Sequence, residues 1–205
     1  MAVIVRQYTM DDFEGLIELQ RESFPPPFPP ELWWKKEQIA AHLETFPLGA
    51  MVAESDGSMA GSATALIIKY DGKPHTWEEA SDNGYIRGSH QPKGDSLYGI
   101  DICVSPRFRG KGVAKALYDA RKELVIRLGL KRFLAGARIP GYCNYASRMK
   151  AEYYVNMVVR GEVRDPVLTF MLKQGLYPVQ IIEGYLEDAE SCNTGVLAEW
   201  PNPQL

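Results

Sequence analysis

Apolar positions along this chain fall into short runs separated by helical stripes, and the residues between them mark most of the boundaries. Residues 3–6 read as a strand. Thr9, with Asp12 three positions on, predicts a capped helix over 13–23, which the run Phe24-Pro-Pro-Pro-Phe28-Pro-Pro then stops. A second helix is predicted over 31–45, with Pro30 suited to its first turn. Residues 50–54 and 60–70 read as two strands around Ser55-Asp-Gly57-Ser58, a hairpin signal, and 97–104 as another strand. Over 113–128, Val113, Ala116, Leu117, Ala120, Leu124 and Leu128 form one apolar stripe at helical spacing, and Gly129 is a C-terminal stop. Residues 132–138 give the next strand, Asp165-Pro166 caps a helix ending at Gly175, and 179–182 and 195–200 are the last strands.

Two stretches interrupt this order. Residues 71–95 are long and polar, with His75, Trp77, Glu78, Glu79 and Asp82, and a connection of that length is either functional or mobile. Residues 139–164 add a predicted helix over 147–160, placed where it could fold over a site as a lid. Internal repeats and low-complexity tracts are absent.

The most informative segment lies between the 97–104 strand and the 113–128 helix: Arg107-Phe108-Arg109-Gly110-Lys111-Gly112. Two glycines let the backbone turn tightly, so that N–H groups at the head of the helix converge on one anion. Arg107, Arg109 and Lys111 add positive charge. A P-loop would need Ser or Thr after its Lys, where Gly112 stands. A dinucleotide fingerprint would need a third glycine at Lys115 and an acid near Arg132.

The remaining pattern, Val104-Ser-Pro106-Arg107-Phe-Arg109-Gly110-Lys-Gly112-Val113-Ala-Lys-Ala116-Leu117, resembles the acetyl-CoA-binding motif of the GNAT (Gcn5-related N-acetyltransferase) superfamily. The element order β-α-α-β-β-β-α-β-α-β-β is similar to that family's over nearly the whole chain. Thr76-Trp-Glu-Glu-Ala, Gly94-Asp-Ser-Leu-Tyr-Gly-Ile-Asp and Asp165-Pro-Val-Leu-Thr-Phe look like the acetyltransferase module that bacteria fuse to nitrilase-type carbon-nitrogen hydrolases, here standing alone. The resemblance implies an α+β, three-layer α/β/α fold around a mixed, mostly antiparallel sheet of about seven strands. It implies one domain over 1–205, with insertions at about 71–95 and 139–164.

Composition sets limits. The chain has 205 residues, 45% of them hydrophobic, enough for one sizeable core. A net charge of -3 argues against general nucleic-acid binding. The amino terminus reads as neither a signal nor a transit peptide, and no apolar run reaches membrane-spanning length. Three cysteines without metal-ligand spacing suit a reduced cytoplasm, and no metal site is expected. Cys103 reads as a small buried strand residue. An edge strand or the carboxyl-terminal tail would be the place for a homodimer contact.

The chemistry implied by the resemblance is transfer of an acetyl group from acetyl-CoA to an amine of a small molecule or peptide. The backbones of Ile102, Cys103 and Val104 would pair with the pantetheine arm, one of the last two amides serving the thioester oxygen. Arg107, Arg109, Gly110, Lys111, Gly112, Val113 and Ala114 would hold the phosphates. An alkylammonium, with a pKa near about 10.4 in the lysine case, must lose a proton before attack. Asp101 is the acid on the motif strand and the first candidate base, with His75, Glu78 and Glu79 on the adjoining loop. The family places a tyrosine near the sulfur on the last helix; here Met171 stands there, leaving Tyr142, Tyr145 and Tyr98 as candidate acids. Asn144 matches a family asparagine, although its usual alanine partner is Ser147. Phe28, Trp33 and Trp34, with Glu78 and Glu79, are the candidate acceptor contacts. Two other readings stay open: a noncatalytic acyl-CoA-binding regulatory module, and a nucleotide-binding protein.

Overall fold

A computed structural model describes residues 2–26 and 28–205; Met1 and Pro27 of the proline run lie outside the described residues. Seven strands form one sheet: β1 (Val3–Gln7), β2 (Ala50–Ser55), β3 (Ser58–Ile68), β4 (Ser96–Val104), β5 (Arg132–Arg138), β6 (Tyr177–Glu183) and β7 (Thr194–Pro201). Their spatial order is β1-β2-β3-β4-β5-β7-β6, and β4 with β5 is the parallel pair among antiparallel neighbours. The mixed, mostly antiparallel sheet is the one the resemblance implies. The β2–β3 hairpin turns through Asp56 and Gly57, both at positive φ, as the Asp-Gly pair predicts.

Helices cover both faces. On one side lie α1 (Phe13–Ser23) and α2 (Lys36–Thr45); a buried chain of Tyr8 Oη to Thr64 Oγ1 (3.1 Å) and to His42 Nδ1 (2.8 Å) ties α2 to the sheet there. On the other side lies α4 (Val113–Arg127), whose Val113 and Arg121 press against Gly61 and Gly99. The short α3 (Trp77–Ser81) sits inside the 71–95 insertion, fixed by a Thr76/Glu79 capping box. In the second insertion, α5 (Ala151–Val159) packs Tyr154, Val155 and Val158 on Leu168, from α6 (Leu168–Lys173), and Val196.

Two expectations are corrected. The helix predicted over 31–45 is broken into a 3-10 turn, Pro30–Leu32, and α2, because the Trp34 N–H bonds Gln20 Oε1 at 2.5 Å instead of a helical carbonyl. The 139–164 insertion does not close as a lid; its apolar residues make a small core of their own against β7. The expected cap at Asp165 is present, its Oδ1 accepting from Val167 and Leu168 N–H at 2.9 and 2.8 Å.

His42 carries a testable consequence of its burial. Desolvation pulls its pKa from 6.5 down to about 4, against a hydrogen bond to the Gly84 carbonyl at 2.6 Å. The charged form is thus disfavoured in the fold, so this group's stabilisation is complete above about pH 6.5 and is lost as pH falls towards about 4. An NMR titration should find its imidazole neutral at pH 5; protonation near the ordinary histidine value would contradict the fold's account of this residue.

Candidate functional site

The site begins where β4 and β5 part. The two strands pair in register only from Ser96↔Arg132 to Gly99↔Ala135. Beyond that, the ladder on the other side of β4 skips one residue: Thr64 pairs with Asp101 and Ala65 with Gly99, leaving Ile100 as a bulge. A bulge bends its strand and raises the local twist, and here it turns β4 away from β5. Arg121, 1% exposed, braces the bend by donating Nη2 to the carbonyls of Thr64 (2.9 Å) and Asp101. From the other face, Trp77 donates its Nε1 to the Ile100 carbonyl at 2.9 Å.

The parted strands open a cavity of about 750 Å³. Both arms line it, β4 through residues 99–104 and β5 through 135–138. Since β4 pairs with β3 and β5 with β7 on their outer edges, the inner edges facing the cavity are free to bond an extended ligand. Ile102, Cys103 and Val104 lie on the β4 arm of this cavity. Cys103 is buried, with Sγ 3.2 Å from Ser62 Oγ, and burial pushes its thiol pKa up, which leaves it a packing residue rather than a nucleophile.

At one end the cavity reaches Pro106, Arg109 and Ala114, at the head of α4. Gly110 (φ +77°) and Gly112 (φ +86°) both take left-handed backbone that only glycine adopts freely, and a side chain at either would point into open space. Among the described residues, the amides of Gly110, Gly112, Val113, Ala114 and Lys115 have no backbone acceptor. Several unpaired N–H groups at the positive end of a 15-residue helix form an anion cradle. The basic side chains divide. Arg109 lines the cavity, Lys111 Nζ rests 5.0 Å over the Phe108 ring, and Arg107 turns to Glu22 on α1 at 2.9 Å. Glu22 also accepts from Ser105 Oγ at 2.6 Å, so Arg107 anchors the loop rather than adding its charge to the cradle.

At the other end the walls are aromatic. Phe24 and Phe28 stack at 4.8 Å, and Trp34 lies 6.1 Å from Trp77. Leu32, Pro25 and Pro26 complete this wall. Arg138 closes the lip: its guanidinium donates to both Asp188 oxygens at 3.0 and 2.9 Å and to Glu190, and lies 5.6 Å over Phe28. Asp101 projects between the two ends. Its Oδ2 is buried without a hydrogen-bond partner, and desolvation raises its pKa to about 6 against the Arg121 charge and the Trp34 indole.

Several sequence candidates fall elsewhere. Tyr142 and Tyr145 pack with tilted rings against Tyr154 in the second core, and Tyr142 Oη is spent on the Met149 carbonyl at 3.1 Å, so neither reaches the cavity as an acid. Asn144 bonds back to the Gly141 carbonyl at 3.4 Å. Glu78 and Glu79 border a separate polar hollow, with Glu79 occupied by its capping bond to Thr76. Trp33 packs under Arg21 at 5.8 Å, outside the cavity lining that includes its neighbour Trp34. Arg121 and Tyr185 escaped the sequence reading. Arg121 was visible in principle, since it lies four residues after Leu117 on the apolar stripe of α4, an odd place for an unpaired charge. Tyr185 gave no such signal.

Among the described residues, no group of three or more His, Cys, Asp or Glu could hold a metal ion, and no helix is long and apolar enough to cross a membrane. The family model for the acetyltransferase (GNAT) family matches residues 13–140. The chain is 48% identical over 203 residues to the uncharacterized N-acetyltransferase YkwB of Bacillus subtilis, covering 98% of this chain and 89% of that one. It superposes on the loading GNATL domain of CurA from Lyngbya majuscula with a TM-score of 0.84 at 18% identity, over 100% of both chains. The GNAT-like decarboxylase GphF, solved in complex with isobutyryl-CoA, matches with a TM-score of 0.75 at 22% identity, over 97% of this chain and 99% of that one.

Proposed function

Because the chain belongs to the GNAT acetyltransferase family and is an acetyl-CoA-dependent N-acetyltransferase of that family, we propose that its acceptor is a primary amine on a small, largely aromatic molecule, deprotonated by Asp101. The observation that carries this reading is the buried, unpartnered Oδ2 of Asp101 inside a cavity walled by Trp34, Trp77, Phe24 and Phe28. A buried carboxylate oxygen with no hydrogen bond is unfavourable unless a ligand completes it, and an ammonium group does so. The basic residue at this end, Arg138, is already held by Asp188 and Glu190, so an acceptor carboxylate finds no free partner there.

The geometry orders the steps. The cradle holds the pyrophosphate and the free edge of β4 holds the pantetheine arm, which brings the thioester to the bulge. The ammonium enters from the aromatic end and meets Asp101. In this desolvated setting the ammonium pKa falls while that of the carboxyl is already raised to about 6, so proton transfer is less uphill than in water. The neutral amine then attacks the thioester carbonyl. A backbone N–H on the free edge of β4 supports the oxyanion, and the thiolate leaves.

Release of free thiol from acetyl-CoA across a panel of amines tests this. Arylalkylamines should turn over with kcat/KM about tenfold or more above amino acids and polyamines, since burial of an aromatic ring is worth a few kcal/mol. A preference for amino acids would reject the acceptor class. Tight acetyl-CoA binding with no turnover on any amine would favour the regulatory-module reading instead.

A further inference from the structure

Within the 71–95 insertion, one short turn holds four residues in left-handed backbone: Asp82 (φ +54°), Asn83 (φ +52°), Gly84 (φ +84°) and Ile86 (φ +57°). That conformation is costly for any side chain, most of all a β-branched one, and it persists only where the surroundings impose it. Here α2 imposes it. Gln38 donates its Nε2 to the Asn83 carbonyl at 2.8 Å, and His42 donates its Nε2 to the Gly84 carbonyl at 2.6 Å. Inside the turn, the Gly84 N–H donates to Ser81 Oγ at 2.9 Å and the Ile86 N–H to the Ser81 carbonyl at 2.8 Å, with the Ile86 side chain fully buried.

What the turn brings to the cavity is a residue without a side chain. A Cβ on Gly84 would lie 2.6 Å from Gln38 Nε2 and 2.8 Å from Cζ3 of Trp34, so the backbone at residue 84 is seated directly behind that indole. His42 meets the same ring edge-on, with centroids 4.9 Å apart, and Gln20 fixes the Trp34 N–H. From there Trp34 lines the cavity, 6.1 Å from Trp77. Trp77 belongs to α3 of the same insertion, where its backbone N–H donates to the Tyr185 carbonyl at 2.8 Å and its indole to that of Ile100. A single insertion thus supplies one indole of the aromatic wall and backs the other.

We propose that the 71–95 insertion selects the acceptor, and that Gly84 is a specificity-determining position which acts from outside the cavity by setting how far Trp34 stands back from it. Gln38 and His42 are positioning residues that hold the turn at that depth. This rests on the aromatic-acceptor reading above. The wall cannot yield backwards: a protein interior is close-packed, so atoms added behind Trp34 push the indole into the space that an acceptor ring would fill. Gln38 does not absorb the shift without losing a bond, because its Oε1 accepts from the Lys35 N–H at 2.8 Å while its Nε2 is held by Asn83. The anion cradle lies at the other end of the cavity, at the head of α4, and is not touched by the change.

The test compares the wild type with Gly84→Ala, Trp34→Phe and the double Gly84→Ala/Trp34→Phe variant. Thiol release with 2-phenylethylamine and with propylamine, acetyl-CoA affinity and melting temperature are measured for each. Gly84→Ala should raise KM for 2-phenylethylamine about tenfold at nearly unchanged kcat, and leave KM for propylamine and the Kd of acetyl-CoA as they are. The strain of an alanine at φ +84° lowers the melting temperature but acts on both amines alike. In the Trp34→Phe background the same methyl should shift the ratio of the two KM values by less than about twofold, because the smaller ring leaves it room. An unchanged ratio in Gly84→Ala, equal losses on both amines, or the same shift in both backgrounds would overturn the proposal alone. If Gly84→Ala does not fold, Gln38→Leu frees the turn from α2 with residue 84 intact; it should cut the preference for 2-phenylethylamine about threefold or more, and an unchanged preference would overturn the proposal. A wild type that takes both amines equally well, or neither, would overturn the aromatic-acceptor reading and the proposal with it.

Discussion

Gly110→Asp is expected to weaken acetyl-CoA binding by about 100- to 1,000-fold while leaving the fold standing. Each anionic contact at a helix head is worth roughly 0.3–2 kcal/mol, and a pyrophosphate uses several at once. A carboxylate placed beside the unpaired amides of Gly112, Val113 and Ala114 competes for them and repels the phosphates, so a loss of about 3–4 kcal/mol is expected. The fold tolerates the change because nothing lies within 4 Å of a Cβ at this position, leaving only the left-handed φ of +77°, which aspartate accepts for about 1 kcal/mol. Gly110→Ala separates the two effects, since it brings the same backbone strain without the charge. Calorimetric titration with acetyl-CoA should rank wild type, Ala and Asp in that order, and an Asp variant that binds like the wild type would remove the cradle from the mechanism.

Asp101→Asn should move activity and stability in opposite directions. The amide cannot take the ammonium proton, so amine-dependent thiol release should fall by about 100- to 10,000-fold with acetyl-CoA affinity retained. In the wild type, kcat/KM should rise with pH through about 6 as the carboxyl ionises. Its folded pKa lies above the unfolded 3.8, so the fold favours the protonated form. That contribution is fully present below about 3.8 and is lost as pH rises through about 6. At pH 8 the asparagine variant, which never ionises, should therefore be more stable by roughly 1–3 kcal/mol, the lower part of the range allowing for the partial exposure of the residue. Between about pH 4 and 6 the Asp101 and His42 contributions run against each other, so the variant should show the acid lability of His42 that the wild type conceals. Urea midpoints at pH 5 and pH 8 for both proteins check this. Equal midpoints at pH 8, or an unchanged rate of thiol release, would exclude Asp101 as the buried base.

The chemistry divides between parts of very different legibility. The phosphate cradle needs only local features, two glycines at the head of an amphipathic helix, and Gly110 and Gly112 take the backbone that their sequence context implies. The aromatic end of the cavity is assembled from three distant segments: Phe24 and Phe28 after α1, Trp34 before α2, and Trp77 from an insertion that reads only as a polar loop. Periodicity marks Trp33 and Trp34 equally. What separates them is the Gln20 side chain, whose bond to the Trp34 N–H breaks the predicted helix and sends that indole inward. Tyr142 and Tyr145 illustrate the converse. They follow β5 closely enough to suggest a role, yet the insertion that carries them has an apolar core of its own and holds them there.

By itself the sequence determined most of the strand and helix order and the glycine turn at the head of α4, because each rests on short-range spacing: period two for strands, 3.6 for helices, and glycine where φ must be positive; the family followed from the resemblance of its motifs. Only the tertiary structure decided which side chains meet around the cavity. The bulge at Ile100 parts β4 from β5, Arg121 and Trp77 hold that bend from opposite faces, and Gly136 with Gly195 admits Tyr185 to the opening. These contacts join residues dozens of positions apart. Their energies come from burial and from hydrogen bonds that exist only once the sheet has formed, so no local pattern in the chain encodes them.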